Sequence, residues 1–512
     1  MLFNEPAFLF AFLPLTLLAV VLAQGLASRR AGIVVLILAS LFFYGWWKAG
    51  YVLIILGSIA GNLTVARLIE RTDDQLSRRV LLTFGIVGNL ALLGYFKYAN
   101  FFIANIASLG LRFDALLIIL PIGLSFYTFQ QIAFIVDTYR RTIKGVGVLE
   151  YMASVLFFPH LIAGPLVQYR QIIGQFRDRF GVSSIAVMAG LPIFLVGLTK
   201  KVFLADNIGV FISPLYAKAQ IGPLEALSAW VAALGYTAQL YFDFSGYSDM
   251  AIGLGLMFGI VLPVNFLSPY KALSIIDFWR RWHITLSRFL RDYLYIPLGG
   301  NRRGPARRYL NLMVVMVLGG LWHGAAWTFA FWGALHGLYL LVNHAWRNVV
   351  GPHIGWANLL LSPIYAVLTF SCVIVGWVFF RAPDFTTATR ILYGMAGGNG
   401  VSLPYTIWWL WDSYVNKTET IPHPFRWLDF QGNGLQYPDV VIAPIFLLFA
   451  FAITWLTPNV AQIFGLNPAA DHLDYKPAPW NTARMLAMAA LICLCLFSIL
   501  GSVPSQFLYF QF

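Results

Sequence analysis

Long apolar runs are the feature that most limits how this chain can fold. Residues 7–25, 50–68 and 184–204 carry few charges, and each is long enough to cross a hydrocarbon core of about 30 Å as a helix. A barrel strand would instead alternate apolar and polar residues, whereas residues 117–129 are almost continuously apolar. Only 11% of the 512 residues are charged, against about a quarter in a soluble domain. The sequence therefore predicts an all-α polytopic membrane protein.

We predict roughly a dozen transmembrane or re-entrant helices. The candidate spans lie near residues 7–25, 31–48, 50–68, 80–97, 115–136, 184–204, 224–242, 248–264, 309–345, 357–380, 441–458 and 482–501. The first is read as a membrane helix, because no basic residue precedes it. Residues 151–166 are apolar but interrupted by Pro159, His160, Gly164 and Pro165. A broken helix at membrane depth is tolerated where protein or a water-filled cavity covers its backbone, which indicates an internal pathway.

The net charge of +13 has two possible explanations: a surface that binds nucleic acid, or basic residues gathered in the cytoplasmic loops of a membrane protein. Basic residues cluster in alternate short loops, at 29–30, 67–79 and 140–141, as cytoplasmic loops do. We therefore predict a multi-pass bacterial inner-membrane protein in contact with lipid, with its N-terminus outside the cytoplasm and no nucleic-acid partner. Residues 277–308 are interpreted as a basic amphipathic cytoplasmic segment and residues 397–439 as an aromatic extracytoplasmic loop. Residues 1–512 are interpreted as one integral membrane domain.

Polar residues at membrane depth are expensive and indicate a site. The strongest candidate is His323, in Leu321-Trp322-His323-Gly324. From Arg308 to His323 is 15 positions, which places the imidazole about 22 Å along a helix. Such a histidine can act as a general base on a hydroxyl, or can be a satisfied core residue; the residues alone leave both open. His336 is expected farther along the same helix, turned away from His323, in a structural role.

Two further clusters are candidates. His283 ends the segment Trp279-Arg280-Arg281-Trp282-His283, in which the arginines can attract an anionic group, or which is an ordinary interfacial helix. Asp243 and Asp249 lie between two predicted spans, where they orient a histidine, pair with an arginine or cap helix ends. The three cysteines lie in apolar segments and suggest no metal site. The late-loop aromatics stack on sugars or form an interfacial belt: Trp408, Trp409, Trp411, Tyr414 and Trp427.

With these residues in view, the sequence resembles the membrane-bound O-acyltransferase family, in the branch that acetylates bacterial polysaccharides such as alginate. The resemblance spans nearly the whole chain. It rests on residues 121–130, 158–165, 241–249, 277–287, 320–324, 376–382 and 507–512.

The resemblance implies a ring of helices around a central tunnel, with His323 at its narrow centre and His283 as the second functional histidine. It implies acetyl-coenzyme A as a cytoplasmic donor, no bound cofactor or metal, and export of the acyl group to a separate extracytoplasmic acetyltransferase and a polysaccharide biosynthesis complex. Arg302 and Arg303 are further candidates for contact with the anionic donor. The tentative donor- and substrate-binding residues are Trp279, Arg280, Arg281, Trp282, Asp243, Ser245 and Trp322.

Two alternatives stay open. D-alanyl transfer to teichoic acid uses a similar fold and the same two histidines, but those relatives look shorter and lack a tail like this one beyond Arg381. A polysaccharide transporter or export channel would also contain broken helices and buried polar residues. Whether His323 removes a proton or carries the acyl group itself is likewise open.

Overall fold

The computed structural model describes residues 1–111, 113–354, 360–402, 428–429, 439–466, 482–501 and 507–508. Helices dominate these residues, and the two-residue strands β1 (Val401–Ser402) and β2 (Leu428–Asp429) pair in parallel. The predicted all-α class is confirmed. The helices of the first half are α1 (Leu13–Leu26), α2 (Arg29–Gly45), α3 (Tyr51–Arg71), α4 (Gln75–Leu93), α5 (Ala99–Ala107), α6 (Leu124–Tyr139), α7 (Val148–Leu156), α8 (Phe158–Leu161), α9 (Tyr169–Asp178), α10 (Ser184–Thr199), α11 (Asp206–Ile221) and α12 (Ala226–Met257).

The second half begins with short helices and continues with longer ones. They are α13 (Ile275–Arg281), α14 (Ile284–Leu290), α15 (Gly304–His323), α16 (Trp327–Val349), α17 (Gly351–Ile354), α18 (Ser362–Arg381), α19 (Phe385–Met395), α20 (Asp439–Leu456), α21 (Val460–Phe464) and α22 (Thr482–Gly501). Wider π-helical turns occur at Phe8–Phe12, Gly94–Tyr98, Lys200–Ala205 and Arg291–Tyr295, and a 3-10 turn at Pro269–Lys271.

The outer surface of the described residues is suited to lipid. Large apolar side chains such as Leu15 and Phe84 are 63% and 70% exposed, which a soluble protein avoids over a contiguous area. Within the part of the chain that the structure describes, five helical runs are long and apolar enough to cross a membrane: Phe8–Leu26, Tyr51–Arg71, Gln75–Ala107, Ser184–Ile221 and Ser362–Arg381. The predicted dozen is reached only by adding shorter or more polar helices, which carry most of the polar residues discussed below.

Helix starts in the loops follow from local capping. The Ser28 hydroxyl accepts a hydrogen bond from the Ala31 N–H at the start of α2, and Asp74 accepts one from the Ser77 N–H at the start of α4. The latter bond lowers the pKa of Asp74. Both caps lie beside the basic clusters that the sequence assigned to cytoplasmic loops, so these loops mark where the chain reverses between spans.

Helix α12 forms the centre of the described structure and corrects one prediction. The sequence predicted two spans, 224–242 and 248–264, separated by a polar junction, but a single 32-residue helix runs through Asp243 and Asp249. It packs closely on α10 through paired glycines: a Cβ at Gly246 would lie 2.7 Å from the Gly197 carbonyl oxygen. The two acids are therefore helix-interior residues with lysine partners, Lys201 and Lys200, and the prediction that they cap helix ends was wrong.

The predicted run 309–345 is a helical hairpin. Helix α15 ends at His323, residues 324–326 turn the chain, and α16 begins at Trp327. A Cβ at Gly320 would lie 2.2 Å from the Phe329 carbonyl oxygen, so the two helices touch through their backbones. His336 consequently lies on a different helix from His323, and the expectation of one continuous helix was wrong. The turn at residue 324 places His323 at a helix end.

The two segments singled out by composition differ in what can be said of them. Residues 277–308 contain most of α13, all of α14, the π turn at Arg291–Tyr295 and the start of α15. Most of residues 397–439 lie outside the described residues, including Trp408, Trp409, Trp411, Tyr414 and Trp427. The side of the membrane on which each segment lies remains a prediction.

Candidate active site

His323 stands where two cavities meet. His323 is buried, with 5% of its surface exposed, and it lines both cavities. The turn at Gly324 leaves the side chain at the apex of the α15–α16 hairpin. Because one imidazole is reachable from both cavities, a group entering through one cavity can meet a group entering through the other at this ring.

The larger cavity, here the arginine-lined cavity, has a volume of about 460 Å³. Its walls come from α13, α14, the Arg291–Tyr295 turn, α15 and α16. Three guanidinium side chains line it, those of Arg280, Arg291 and Arg308. Arg308 also lies 3.2 Å from His344 Nδ1. Three cationic groups in the lining favour an anionic ligand, and a guanidinium group binds phosphate or carboxylate with two parallel hydrogen bonds.

The smaller cavity, here the loop-lined cavity, has a volume of about 230 Å³. Residues 119–126 form much of its wall, and Trp47, Lys97, Ile162, Trp322 and His323 complete it. No guanidinium group is among these lining residues. The wall thus consists mostly of backbone and apolar side chains, with Lys97 beside His323.

His283 lies next to His323, and Asn265 holds it. The two imidazole centroids are 6.4 Å apart. His283 Nδ1 lies 3.2 Å from Asn265 Oδ1, which also accepts hydrogen bonds from the Thr285 N–H and hydroxyl. Because Asn265 Oδ1 is an acceptor, Nδ1 carries the proton and Nε2 has the lone pair. The Ile284 N–H donates to the Asn265 carbonyl as well, so a single residue fixes the whole turn.

The backbone of His283 is in an unusual conformation. Its φ of 43° and ψ of 53° lie in the left-handed region, which residues with a Cβ rarely adopt. The ring is fully buried and meets Phe244 edge-on, with centroids 4.7 Å apart. Such a conformation persists where the surroundings over-determine it, and it is common at active sites.

Aromatic rings surround His323 on the other sides. Its ring lies 5.0 Å from Trp322, 5.3 Å from Trp332 and 5.2 Å from Phe380, measured between centroids. Trp332 separates it from His336, whose ring is 4.9 Å farther on. These apolar rings keep the imidazole out of bulk water. Exclusion of water protects a reactive acyl group from hydrolysis.

The site residues predicted from the sequence divide into those that line one of the two cavities and those that line neither. Trp279 and Arg280 line the arginine-lined cavity, and Trp322 lines the loop-lined cavity. Arg281 instead pairs with Asp277 at 2.9 Å, and Trp282 packs 4.9 Å from Trp377 in the core.

Asp243 and Ser245 are also among the predicted site residues that line neither cavity. Both are buried on α12 and line neither cavity at His323. Asp243 pairs with Lys201 at 2.7 Å, rather than with an arginine or a histidine, and accepts the Leu508 N–H at 3.0 Å. Arg302 and Arg303 are exposed and are not among the cavity-lining residues.

Sequence reasoning missed four residues: Lys97 and Asn265, which contact His323 and His283, and Arg291 and Arg308, which line the arginine-lined cavity. Asn265 carried a signal, since it is a lone amide in the apolar run 260–267. Lys97 carried a similar one at the end of an apolar span. Each contact crosses a long stretch of chain, so the partner could not be read from local spacing.

These features define a class: a multi-pass helical membrane enzyme with a buried histidine between two cavities. The chain belongs to the membrane-bound O-acyltransferase family, whose family model matches residues 136–375. A peptidoglycan O-acetyltransferase of Helicobacter pylori is 44% identical over 435 residues, covering 79% of this chain and 81% of the relative. A probable alginate O-acetylase of Pseudomonas putida is 38% identical over 100% of both chains.

More distant relatives follow. A teichoic acid D-alanyltransferase of Streptococcus thermophilus is 27% identical over 44% of this chain and 57% of the relative. The full-length similarity thus lies with proteins named as O-acetylating enzymes, and the D-alanyl similarity is confined to a part. The chain is accordingly a membrane acyltransferase.

Proposed function

We propose that the chain moves acetyl groups from a cytoplasmic thioester to a cell-envelope polysaccharide, with His323 as the catalytic residue. The observation that carries this proposal is the position of the His323 imidazole at the meeting point of two cavities, 6.4 Å from the ring of His283. A transporter needs a path but no imidazole held among apolar rings. An acyltransferase needs both.

The donor proposed for the arginine-lined cavity is acetyl-coenzyme A. Its phosphates and the guanidinium groups of Arg280, Arg291 and Arg308 are complementary in charge. The basic segment 277–308 forms part of the cavity lining, and its many arginines favour the cytoplasmic face. Phosphates held at the mouth would let the pantetheine arm carry the thioester inward to His323.

The chemistry follows from one imidazole. As a base, the His323 imidazole takes the proton of the acceptor hydroxyl while the hydroxyl oxygen attacks the thioester carbonyl carbon. The C–S bond then breaks, and the imidazolium passes the proton to the leaving thiolate. As a nucleophile, the unprotonated imidazole nitrogen attacks that carbon and the thiolate leaves; the acceptor hydroxyl oxygen then attacks the acyl carbon and displaces the imidazole, and the hydroxyl proton passes to the thiolate. His283, oriented by Asn265, is suited to position the reacting groups in either route.

The proposed acceptor side is the loop-lined cavity. The relative matched over the whole chain is named for alginate and the one matched over 79% of it for peptidoglycan, which supports an exopolysaccharide such as alginate or another envelope glycan as the final acceptor. We propose that a separate extracytoplasmic acetyltransferase of a polysaccharide biosynthesis system collects the acetyl group there, and that the chain lies in the bacterial inner membrane.

The sidedness of the donor provides the test. Sealed everted vesicles and sealed right-side-out vesicles, each prepared from cells that make the full-length protein, the polysaccharide and the extracytoplasmic acetyltransferase, are given external acetyl-coenzyme A labelled in its acetyl carbon. The proposal predicts incorporation into polysaccharide with everted vesicles only, and none with either preparation for His323→Ala. Equal incorporation from right-side-out vesicles would contradict a cytoplasmic donor, and incorporation by the variant would contradict the role of His323.

A further inference from the structure

The end of α15 presents carbonyl groups that a helix cannot satisfy by itself. The last four carbonyls of any α-helix lack an N–H partner from their own helix. In α15 these include the carbonyls of Leu321, Trp322 and His323 at the apex of the hairpin, where Trp322 and His323 are buried and Leu321 is half-buried. Leaving them without donors there would be costly, since water does not replace the missing bonds.

Two adjacent residues of another segment supply the donors. The Lys97 Nζ donates to the Trp322 carbonyl at 2.6 Å and to the His323 carbonyl at 2.9 Å. The Tyr98 hydroxyl donates to the Leu321 carbonyl at 2.7 Å. Three successive carbonyls of α15 are thus bound by two successive side chains, from 223 to 226 residues away along the chain.

The donor residues come from a distorted turn. Lys97 and Tyr98 end the π-helical turn Gly94–Tyr98, which interrupts the long span between α4 and α5. π-helical turns are rare and frequently occur at functional sites. A lysine at a helix C-terminus is also favoured by the negative end of the helix dipole. Lys97 in addition contributes to the loop-lined cavity beside His323.

We propose that Lys97, assisted by Tyr98, is a positioning residue that locks the end of α15 and so fixes the His323 imidazole between the two cavities. The lock acts on the backbone of the catalytic residue itself, so its release would let the last turn fray and the ring turn away. This inference rests on the proposed catalytic role of His323. It requires no contact between Lys97 and substrate.

The experiment compares Lys97→Met, Lys97→Arg, Tyr98→Phe and the control Lys48→Met in full-length protein. Met keeps the length of the side chain but cannot donate, and Arg can still bind two carbonyls because the adjoining cavity leaves room for it. Lys48 is an exposed lysine whose ammonium group lies over the Tyr51 ring, 5.1 Å from its centroid. Two readouts are measured: O-acetyl content of exported polysaccharide, and amide hydrogen exchange of residues 316–326 in lipid nanodiscs.

Lys97→Met is expected to lower O-acetylation by more than about tenfold and to speed exchange in residues 316–326 by about tenfold, with unchanged membrane abundance. Lys97→Arg should restore most of both, Tyr98→Phe should show a smaller loss, and Lys48→Met none. The lock is overturned if Lys97→Met acetylates normally, or if its activity falls while exchange at the helix end stays unchanged. Retained acetylation in a parallel His323→Ala strain would instead overturn the proposed function, while the exchange result still tests the lock.

Discussion

The two cavities at His323 differ in size, charge and the kind of wall that surrounds them. The arginine-lined cavity has about twice the volume, 460 against 230 Å³, and three guanidinium groups. The loop-lined cavity has a wall of backbone and apolar side chains with one lysine, and that lysine is engaged with the end of α15. The proposal accordingly assigns the large anionic donor to the first cavity and the acceptor side to the second. An asymmetric pair of cavities is what transfer between unlike partners requires.

The largest effect is expected where α15 and α16 pack backbone against backbone. At Gly320 an added Cβ would meet the Phe329 carbonyl oxygen at 2.2 Å, so Gly320→Ala must separate α15 from α16 and shift His323. We expect transfer to fall by more than about a hundredfold, because small displacements of a catalytic group are that costly. The measurement is labelled acetyl incorporation per unit of protein in membranes.

Gly337→Ala is the matched control for this change. Gly337 lies on the same hairpin, but its added Cβ would meet the flexible end of Met313, whose Sδ can move away. Near-normal transfer is expected. Equal losses from both substitutions would mean that hairpin packing in general, rather than the close contact at Gly320, sets the position of His323.

A smaller loss is expected when the support of His283 is removed. Asn265→Ala deletes the acceptor of the His283 Nδ1 proton and of two Thr285 donors. We expect kcat to fall about tenfold to a hundredfold with little change in KM for acetyl-coenzyme A, since hydrogen bonds of this kind are worth about 1–3 kcal/mol when one partner is left buried.

The control for Asn265 is Gln175→Ala. The Gln175 amide also bridges the chain before Asn265, through the Val261 N–H and carbonyl, but it contacts neither histidine. It should lower thermal stability and leave kcat within about twofold. A rise in KM in the Asn265 variant would show that His283 acts in donor binding.

Changes in the arginine-lined cavity should act on donor affinity. Arg308 is half-buried there, and Arg308→Gln is expected to raise KM for acetyl-coenzyme A about five- to tenfold with kcat nearly unchanged. Arg280→Gln should have a weaker effect, because that exposed group is screened by solvent and salt. Arg302→Gln, outside the cavity lining, is the control, and an equal effect there would reduce the cavity charges to a general surface attraction.

The smallest effect is expected at Ser245, a residue that the sequence placed at the site. Its hydroxyl is buried on α12, lines neither cavity and finds no hydrogen-bond partner among the described residues. Ser245→Ala removes a buried polar atom without breaking a hydrogen bond to the described residues. The rate of acetyl transfer should therefore stay within about twofold, and the thermal stability of the protein should be unchanged or slightly higher. A large loss of transfer would mean that a substrate reaches α12.

Sequence and structure agree where one residue's own chemistry decides the outcome. Apolar runs predicted membrane helices, and a histidine inside such a run indicated His323. Local polarity gave a wrong helix boundary at Asp243 and Asp249. Their lysine partners come from another segment of the chain, and these salt bridges stabilise both carboxylates inside one continuous helix. Local polarity also failed at Asn265 and Lys97, whose roles arise from contacts across long stretches of the chain. The break at Gly324 was hidden because the residues on both sides are equally helical in pattern.

The central claim is that His323 performs the transfer, and one measurement tests it most directly: the O-acetyl content of exported polysaccharide in cells carrying His323→Ala, with membrane abundance and polymer export measured in parallel. A loss of about a hundredfold or more is predicted, at normal abundance and normal export, since a positioned base or nucleophile contributes at least that much. Retained acetylation would remove His323 from the mechanism, and lost export with intact acetylation of the remaining polymer would indicate a transporter.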